Sequence, residues 1–280
     1  MVNSQIIPIW QPIGFSTHQI SRNIGGLLNT KATHTGTLDP LAEGVIVVLT
    51  GDERFKKDKY SDYIKGYEFG ITFGISTDSY DAMGFVTGGL RNIGSLNKEI
   101  DRAEIKSVCK KLVGKYTQTV PLYSAIRHGG KRLFEWAHLN IDTPDLPEKK
   151  GEIYKLELKK LNKVLFKKII EEQILPNLYS IVGHFRQEKI IGQWEKAVAG
   201  IDPNVVAALG TFYAETSRGI YVRSLSQDIC RDLNAEGFVT SLRRVMNGPY
   251  TKKDCKSLGK LFGGSFDKKE FVSKRFRVKV

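Results

Sequence analysis

Short runs of β-branched and aromatic residues along the chain predict a sheet. The first clear run, Val45 to Leu49, is apolar throughout, which is typical of a strand buried on both faces. From Tyr63 to Phe73, bulky residues alternate with polar residues or glycine, as expected for a strand with one face in the core. Three later segments also have strand character: Ile153 to Leu161, Thr211 to Thr216 and Val239 to Val245.

Apolar residues recur at helical spacing in three other segments. The first predicted helix begins at Ser16 or Thr17, either of which can cap it. The second follows Asn97 and stops at Gly114. The third ends near Gly237 and carries a periodic apolar face made of Val222, Leu225, Ile229 and Leu233. Helices and strands therefore mix along the chain.

The segment from Lys31 to Gly44 leads into the first strand and holds Asp39 directly before Pro40. Proline fixes its own φ and restricts the residue before it, so this carboxylate is well positioned. Such rigidity suits a catalytic nucleophile or base. The same residue types also form ordinary capped turns, and on local composition alone the ordinary turn is favoured.

The charge of the chain indicates a polyanionic partner. Lys and Arg total 43 against 30 Asp and Glu, which gives a net charge of +13, and nucleic acid is the first candidate for such a balance. An anionic membrane fits the sign, but no long basic amphipathic helix and no apolar run of about 18 residues occurs. The start of the chain has no signal-peptide pattern. We therefore expect a cytoplasmic protein.

The few cysteines and histidines argue against two kinds of site. Cys109, Cys230 and Cys255 are too scattered for a disulfide framework or a zinc site, so we expect all three to be reduced. The five histidines do not fall at metal-ligand spacing either. We expect no bound metal.

Basic and aromatic residues alternate from Lys115 to His138 around a Gly129-Gly130 turn. This mixture suits RNA, because cations bind phosphate and aromatic rings stack on unpaired bases. A hairpin with a solvated basic edge is an equally good interpretation of the same residues. By contrast, the segment 164–206 predicts a mostly helical excursion with no recognisable chemistry.

Several dispersed motifs resemble the TruB family of pseudouridine synthases and occur in that family's order. The family motif Gly-His-Thr-Gly-Thr-Leu-Asp-Pro-Leu-Ala-x-Gly is matched from His34 to Gly44, with Thr33 in place of its first glycine. The Lys-x-Tyr motif falls on Lys65 and Tyr67, with its glycine at Gly74. The remaining matches are Thr77 to Gly84, Val120 to Ala125, Gly130 to His138, Ser217 to Ser224, and Leu242 to Arg244 with Gly248; Val120, Phe134 and His138 depart from the pattern.

The resemblance implies an α+β pseudouridine synthase fold, with a mixed, largely antiparallel central sheet flanked by helices and loops. Residues 1–250 would form the catalytic domain, with an RNA-gripping segment at 115–138 and a helical insertion at 164–206. The basic tail 251–280 is expected to be too short for the complete PUA domain that many family members carry, and its lysines would add grip on RNA.

The resemblance also implies the reaction, in which a flipped-out uridine of the transfer RNA T loop is isomerised to pseudouridine. The chemistry needs no cofactor and no metal, and we expect no membrane contact and no obligatory protein partner. Asp39 would attack C1′ of the ribose or remove a C2′ proton, and the sequence does not choose between these routes.

Family roles carry over to specific positions. Asp39 is the implied catalytic carboxylate, Tyr67 the tyrosine that stacks on the base, and Arg223 the guanidinium that keeps Asp39 ionised. The substrate-binding candidates are His34, Lys65, Arg127, Lys131, Arg132, Tyr221 and Leu242.

Other functions remain open at this stage. The same chemistry on another RNA, such as ribosomal RNA, is the alternative within this enzyme class, and a catalytically silent RNA chaperone or binding protein is the alternative from a different class. A glycosidase fits less well, because no second carboxylate has a comparable motif.

Overall fold

The computed structural model describes residues 4–88, 100–139, 145–183 and 185–263. Its strands are β1 (Ile6–Gln11), β2 (Ala32–His34), β3 (Ala42–Thr50), β4 (Lys65–Phe73), β5 (Ser76–Thr77), β6 (Val86–Gly88), β7 (Gly114–Thr119), β8 (Arg127–His128), β9 (Lys131–Arg132), β10 (Glu148–Leu165), β11 (Val206–Thr216), β12 (Gly237–Asn247) and β13 (Tyr250–Thr251). Its helices are α1 (Thr17–Leu27), α2 (Lys57–Ser61), α3 (Arg102–Leu112), α4 (Leu133–Leu139), α5 (Phe166–Ile169), α6 (Leu175–Tyr179), α7 (Gln187–Gly200), α8 (Val222–Asp232) and α9 (Leu258–Phe262). Gly51–Lys56 and Lys252–Asp254 form 3₁₀ turns, and Ile170–Ile174 forms a π-helical turn.

The chain divides into two compact units. The first unit contains Met1–Tyr67, Asn177–Phe185 and Leu242–Val280, and the second contains Glu68–Pro176 and Arg186–Ser241. Within the described ranges, no helix combines the length and the apolar composition needed to span a bilayer.

In the first unit, β3 is the central strand. It pairs antiparallel with β1, from Ile6 opposite Leu49 to Gln11 opposite Gly44, and antiparallel with β2 near its end. Its beginning pairs parallel with β12, where Leu242 lies opposite Ala42 and Arg244 opposite Gly44. The sheet of this unit is therefore mixed.

β3 is buried because other parts of the first unit pack against both of its faces. Val45 to Leu49 are all 0% exposed. Val47 and Leu49 pack with Tyr60, and α1 also contacts the strand. Because side chains alternate across a strand, one apolar run can fill both layers, and the strand predicted from Val45 to Leu49 is confirmed.

The chain after β12 packs back onto β1 of the same unit. β13 pairs with β12, and the backbone N–H of Lys256 donates to Pro8 at 3.0 Å. The Nζ of Lys252 lies 4.7 Å from the ring centroid of Trp10. The first part of the predicted tail is thus attached to the first unit, whereas residues 264–280 lie outside the described residues.

In the second unit, strands lie in the order β12, β4, β11, β10, β7. β10 is 18 residues long and pairs antiparallel with both β11 and β7. Phe69 stacks on Phe212 with ring centroids 5.3 Å apart, and both rings are buried. The predicted mixed, largely antiparallel sheet is therefore confirmed, although β10 extends beyond both predicted ends of the Ile153 to Leu161 strand.

Helices of the second unit cover this sheet. α3 packs on β10 and contacts α8. Asn97, the expected cap of α3, lies outside the described residues; the helix begins at Arg102, and the Asp101 side chain accepts from the N–H of Glu104 at 3.2 Å. The segment 164–206 is helical, and the side chain of Trp194 from α7 is fully buried beside Phe238.

The start of β3 is held against β12 in the first unit by a buried arginine. Arg244 is 2% exposed, and its guanidinium donates to the carbonyls of Val45 at 2.7 Å, Gly36 at 3.1 Å and Thr37 at 3.5 Å. These carbonyls satisfy the hydrogen-bonding needs of the buried cation and fix the chain on both sides of Asp39.

Close approach of the two backbones at this point requires Gly44. Its φ is +131°, and a Cβ at this position would lie 2.2 Å from the carbonyl oxygen of Arg244. A side chain is therefore excluded by both backbone conformation and space.

We expect Gly44→Ala to lower the free energy of unfolding by about 3 kcal/mol, because the two strands must separate or the backbone must adopt a strained φ. Urea unfolding followed by circular dichroism measures this loss.

Gly36→Ala is the matched control, because its Cβ meets only the Nη1 of Arg244, at an ordinary 3.5 Å. We expect this control to change stability by less than about 1 kcal/mol. Equal losses in the two variants would contradict the proposed close approach.

Candidate active site

The loop between β2 and β3 carries Asp39, and hydrogen bonds within the first unit fix its backbone. The N–H of Leu38 donates to the hydroxyl of Thr17 at 2.9 Å, and the carbonyl of Pro40 accepts from Gly14 at 2.7 Å. The carbonyl of Asp39 accepts from the N–H of Ala42 at 2.9 Å. Together with the Arg244 contacts, these bonds give the half-buried Asp39 side chain a well-defined attachment point.

Two predicted substrate contacts lie on the strands that flank this loop. His34 ends β2 and immediately precedes the loop, while Leu242 lies opposite Ala42 on β12. Both side chains are half-buried. Leu242 thus lies beside the start of β3, three residues after Asp39, whereas His34 lies opposite Val48, near the other end of the same strand.

The environment of His34 keeps its imidazole neutral. Burial and the nearby cations Lys57, His18 and Arg244 lower the pKa of His34 to about 4. Its Nδ1 is buried and makes no hydrogen bond to any residue in the described part of the chain. At neutral pH the ring is therefore uncharged.

Lys65 and Tyr67 begin β4. Tyr67 is 8% exposed. Lys65 is 4% exposed, and its ammonium donates to the backbone carbonyls of Ser61 and Tyr63, just after α2. Lys65 thus anchors the entry into the strand that carries Tyr67.

In the second unit, Arg223 lies in the first turn of α8 and is 3% exposed. Its guanidinium donates to the carbonyls of Ser79 at 3.0 Å and Tyr123 at 3.1 Å. Its Nε lies 3.6 Å from the carboxylate of Asp81. These contacts fix the plane of the guanidinium from several directions.

The acidic turn between β5 and β6 supplies two of these contacts. Asp81 accepts from the hydroxyl of Ser79 at 2.6 Å and from the N–H of Met83 at 2.9 Å. Thr77 donates its hydroxyl to the carbonyl of Asp81 at 2.7 Å. The turn is closed by its own side chains, as expected for Asx and hydroxyl-based turns.

The turn before α8 positions Tyr221. Gln118 on β7 donates to the carbonyl of Gly219 and accepts from the N–H of Tyr221, each at 2.9 Å. Tyr221 is half-buried and forms the N-cap residue of α8. Tyr221 therefore lies two residues before Arg223, at the entry to α8.

The basic segment of the second unit contains a two-residue hairpin. β8 and β9 pair across Gly129 and Gly130, whose φ values are +58° and +83°, the combination that type I′ turns require. Trp136 donates its indole N–H to the carbonyl of His128 at 2.8 Å. The side chains of Arg127, Lys131 and Arg132 are exposed on this hairpin.

One buried charged residue in each unit escaped the sequence analysis. Asp81 and Arg244 both fall inside quoted motifs, but the sequence does not reveal which distant groups they contact. Their low exposure, 7% and 2%, is the structural signal.

Among the described residues, no group of three or more His, Cys, Asp or Glu side chains is arranged to hold a metal.

Known proteins similar to this chain include bacterial enzymes named tRNA pseudouridine synthase B. The protein from Halalkalibacterium halodurans is 30% identical over 251 residues, which cover 89% of this chain and 68% of the relative. The Listeria monocytogenes protein is 30% identical over 256 residues, covering 90% and 69%. The Caldicellulosiruptor saccharolyticus protein is 29% identical over 253 residues, covering 90% and 70%.

Solved structures with the same fold come from H/ACA ribonucleoprotein complexes. The archaeal box H/ACA Nop10-Cbf5 complex contains a chain with a TM-score of 0.52 and 16% identity, matched over 97% of this chain. An H/ACA complex bound to a substrate RNA containing 2′-deoxyuridine gives a TM-score of 0.54 and 17% identity over 98% of this chain. This chain spans 58% and 57% of those chains, and the likeness establishes the fold.

A single family model covers several of the dispersed motifs. The N-terminal domain model of the TruB family pseudouridylate synthases matches residues 25–173, more than half of the chain. This range includes the Asp39 loop, Tyr67, the acidic turn and the basic hairpin. The chain therefore belongs to the TruB family of pseudouridylate synthases.

Proposed function

We propose that this protein isomerises the T-loop uridine of transfer RNA, position 55, to pseudouridine, with Asp39 as the catalytic carboxylate. The relatives named tRNA pseudouridine synthase B support the substrate class. The observation that carries the mechanism is the rigid Asp39 loop, fixed by Thr17, Gly14 and Arg244. Because the substrate is transfer RNA, we propose a cytoplasmic location.

The reaction breaks the bond between C1′ and N1, rotates the bound uracil and joins C1′ to C5. A proton leaves C5 and one is gained at N1, so atoms and electrons balance without a redox partner. Departure of uracil builds positive charge on the ribose, which an ionised carboxylate stabilises. Asp39 performs this task either by attack on C1′ or by removal of a proton from C2′.

We propose that Arg223 acts with Asp39 and favours its ionised form. The fixed guanidinium of Arg223 supports this role, because little orientational entropy remains to be lost when it binds an anion. Tyr67 stacks on the uracil in this proposal, and Leu242 and Tyr221 provide apolar walls of the pocket.

The uridine must leave the folded T loop before the chemistry begins, at a free-energy cost of a few kcal/mol. We propose that the exposed cations of the hairpin, Arg127, Lys131 and Arg132, offset this cost by binding phosphate groups. His34 occupies the space left by the displaced nucleotide in this proposal, and Lys65 supports the Tyr67 strand.

Replacing the proposed catalytic pair should abolish turnover and spare RNA binding. We expect Asp39→Asn to reduce the rate of pseudouridine formation by at least about 1,000-fold, and Arg223→Lys by about 100-fold, with Kd for RNA changed less than about threefold. The assay uses purified protein and unmodified transfer RNA without cofactors, and pseudouridine is mapped by carbodiimide adduct stops.

Asp52→Asn, an exposed carboxylate on the 3₁₀ turn of the first unit, is the matched control and should retain full activity. Full activity in Asp39→Asn would sink the mechanism. Pseudouridine formed only in ribosomal RNA would show that ribosomal RNA, rather than transfer RNA, is the substrate. Tight RNA binding without pseudouridine in any RNA would favour a binding protein.

Removing the charges of the hairpin should weaken RNA binding and leave turnover nearly unchanged. We expect the triple variant Arg127→Gln, Lys131→Gln, Arg132→Gln to weaken RNA binding at least about tenfold and to lower the slope of log Kd against log salt by about 2, because up to three phosphate contacts disappear. The rate at saturating RNA should stay within about twofold.

Lys106, Lys110 and Lys168, changed together to glutamine, give a control with the same loss of charge on α3 and α5. Binding measured at several salt concentrations decides the question. An equal loss in this control would mean that overall charge, rather than the hairpin, binds the RNA.

The lowered pKa of His34 predicts an acid-sensitive contribution to stability. The folded pKa of about 4 lies below the ordinary histidine pKa of 6.5, so the unfolded chain binds more protons between these pH values. This contribution is present above pH 6.5 and is lost as the pH falls towards 4, with a slope of at most about 1.4 kcal/mol per pH unit.

His34→Gln lacks the titrating group and should show a flatter dependence over the same interval. Chemical unfolding of both proteins at pH 7.5, 6.5, 5.5 and 4.5, values chosen around the cited interval, measures the difference. Parallel curves would contradict a buried, neutral His34.

A further inference from the structure

We propose that Arg186, at the start of α7, is a positioning residue for the reaction, because it fixes the two backbone segments on which Arg223 rests. Arg186 lies in the segment 164–206, which carries no family motif. The inference rests on the proposed function, since Arg223 is its assumed target.

Arg186 is held by one carboxylate and two aromatic rings of the second unit. Its Nη1 lies 3.1 Å from Oδ2 of Asp78. Its guanidinium carbon lies 4.1 Å from the ring centroid of Tyr123 and 5.0 Å from that of Phe85. A planar cation can stack and donate hydrogen bonds at the same time, which an ammonium group cannot do as well.

Asp78 connects the partners of Arg186 to one another. Its Oδ2 also accepts from the Tyr123 hydroxyl at 2.8 Å, and its Oδ1 accepts from the N–H of Phe85 at 2.8 Å. Burial and the Asp78 carboxylate raise the pKa of Tyr123 to about 12, so the hydroxyl remains a donor at neutral pH. Arg186, Asp78, Tyr123 and Phe85 therefore form one connected network.

The network ends at Arg223 through two short paths. Tyr123, whose ring stacks on Arg186, provides one carbonyl that accepts from Arg223. Ser79, the neighbour of Asp78, provides the other. A shift of either segment would move an acceptor of Arg223, and displacement of about 1 Å at a catalytic group can reduce a rate about 100-fold.

The rest of α7 shows that this contact is part of a docked helix. Gln193 accepts from the N–H of Val86 at 3.1 Å, and Trp194 donates to the carbonyl of Ala82 at 3.1 Å. Ala82 belongs to the turn that contains Asp78, and Val86 begins β6 directly after that turn. The segment 164–206 therefore supports the acidic turn of the family from outside.

The backbone of Arg186 indicates that its side-chain contacts are strong enough to hold an unfavourable conformation. Its φ of +62° is left-handed, a conformation that is unfavourable for a residue other than glycine. Such a conformation persists where surrounding contacts over-determine it. The side chain is 19% exposed, so most of it is used within the protein.

The test compares Arg186→Gln with wild type in the transfer RNA assay. We expect kcat to fall about 30-fold while KM for RNA stays within about twofold, because Arg186 acts through Arg223 and does not bind the substrate. Arg186→Lys should recover part of the loss, since the charge beside Asp78 is restored without the stacked plane.

Coupling to Arg223 separates positioning from a general structural effect. In an Arg223→Lys background, Arg186→Gln should reduce kcat by less than about twofold. An undiminished effect in this background would overturn the inference, and so would a rise in KM at constant kcat, which indicates a phosphate contact. Lys189→Gln, which removes the same charge from an exposed position on α7, is the matched control, and a loss of kcat equal to that of Arg186→Gln would also overturn the inference.

A readout without turnover keeps this inference distinct from the proposed function. Side-chain NMR of the Arg223 guanidinium should show faster rotation in Arg186→Gln than in wild type, and unchanged rotation would overturn the inference even if the wild type makes no pseudouridine. If Arg186→Gln does not fold, Tyr123→Phe removes the hydroxyl bond to Asp78 and should accelerate the same rotation. An inactive wild type would instead reject the proposed function.

Discussion

The buried guanidinium of Arg244 is the interaction on which the Asp39 loop depends. A cation that is 2% exposed is unfavourable unless its N–H groups find acceptors, and here the carbonyls of Gly36, Thr37 and Val45 supply them. Because two of these carbonyls precede Asp39 and one follows it, the loop cannot move without leaving a buried charge unsatisfied. Gly44 permits the backbone approach that this geometry needs. The position of the Asp39 carboxylate thus depends on the guanidinium of Arg244, which lies 205 residues later in the chain (244 minus 39).

The second unit uses carbonyls for a related purpose at Arg223. Carbonyl oxygens fix the orientation of a guanidinium but leave its formal charge in place, whereas Asp81 compensates part of that charge from 3.6 Å. An arginine held in this way is oriented before an anion arrives. Carbonyl oxygens orient Arg244 in the same way, and this arginine adds to burial, Lys57 and His18 in lowering the pKa of His34. Both arginines therefore combine a fixed geometry with positive charge.

The sequence predicts elements whose causes are local and misses contacts whose partners are distant. The Val45 to Leu49 run and the Gly129-Gly130 turn are visible in sequence because burial and left-handed φ select residue types directly. Arg244 and Asp81 were not assigned, since charged residues are usually exposed and nothing local specifies a carbonyl or guanidinium partner. Arg186 was still less predictable, because glycine is the usual residue at positive φ and the surrounding segment has no motif. Family motifs identified where the chemistry lies, but burial and hydrogen bonds were needed to identify what supports it.

The charges of the acidic turn explain why support from outside the motifs is useful. Asp78 and Asp81 lie in one turn, and each has its own arginine, Arg186 and Arg223 respectively. If Arg186 were absent, the charge of Asp78 would remain near the segment that holds Arg223 and would reduce the positive potential available there. Because Asp78 has its own arginine, its negative charge reduces the positive potential at Arg223 less than it would without Arg186. The contacts of Arg186 with the rings of Tyr123 and Phe85 make this pairing geometrically selective, so a segment without family motifs helps to place the groups that Arg223 contacts.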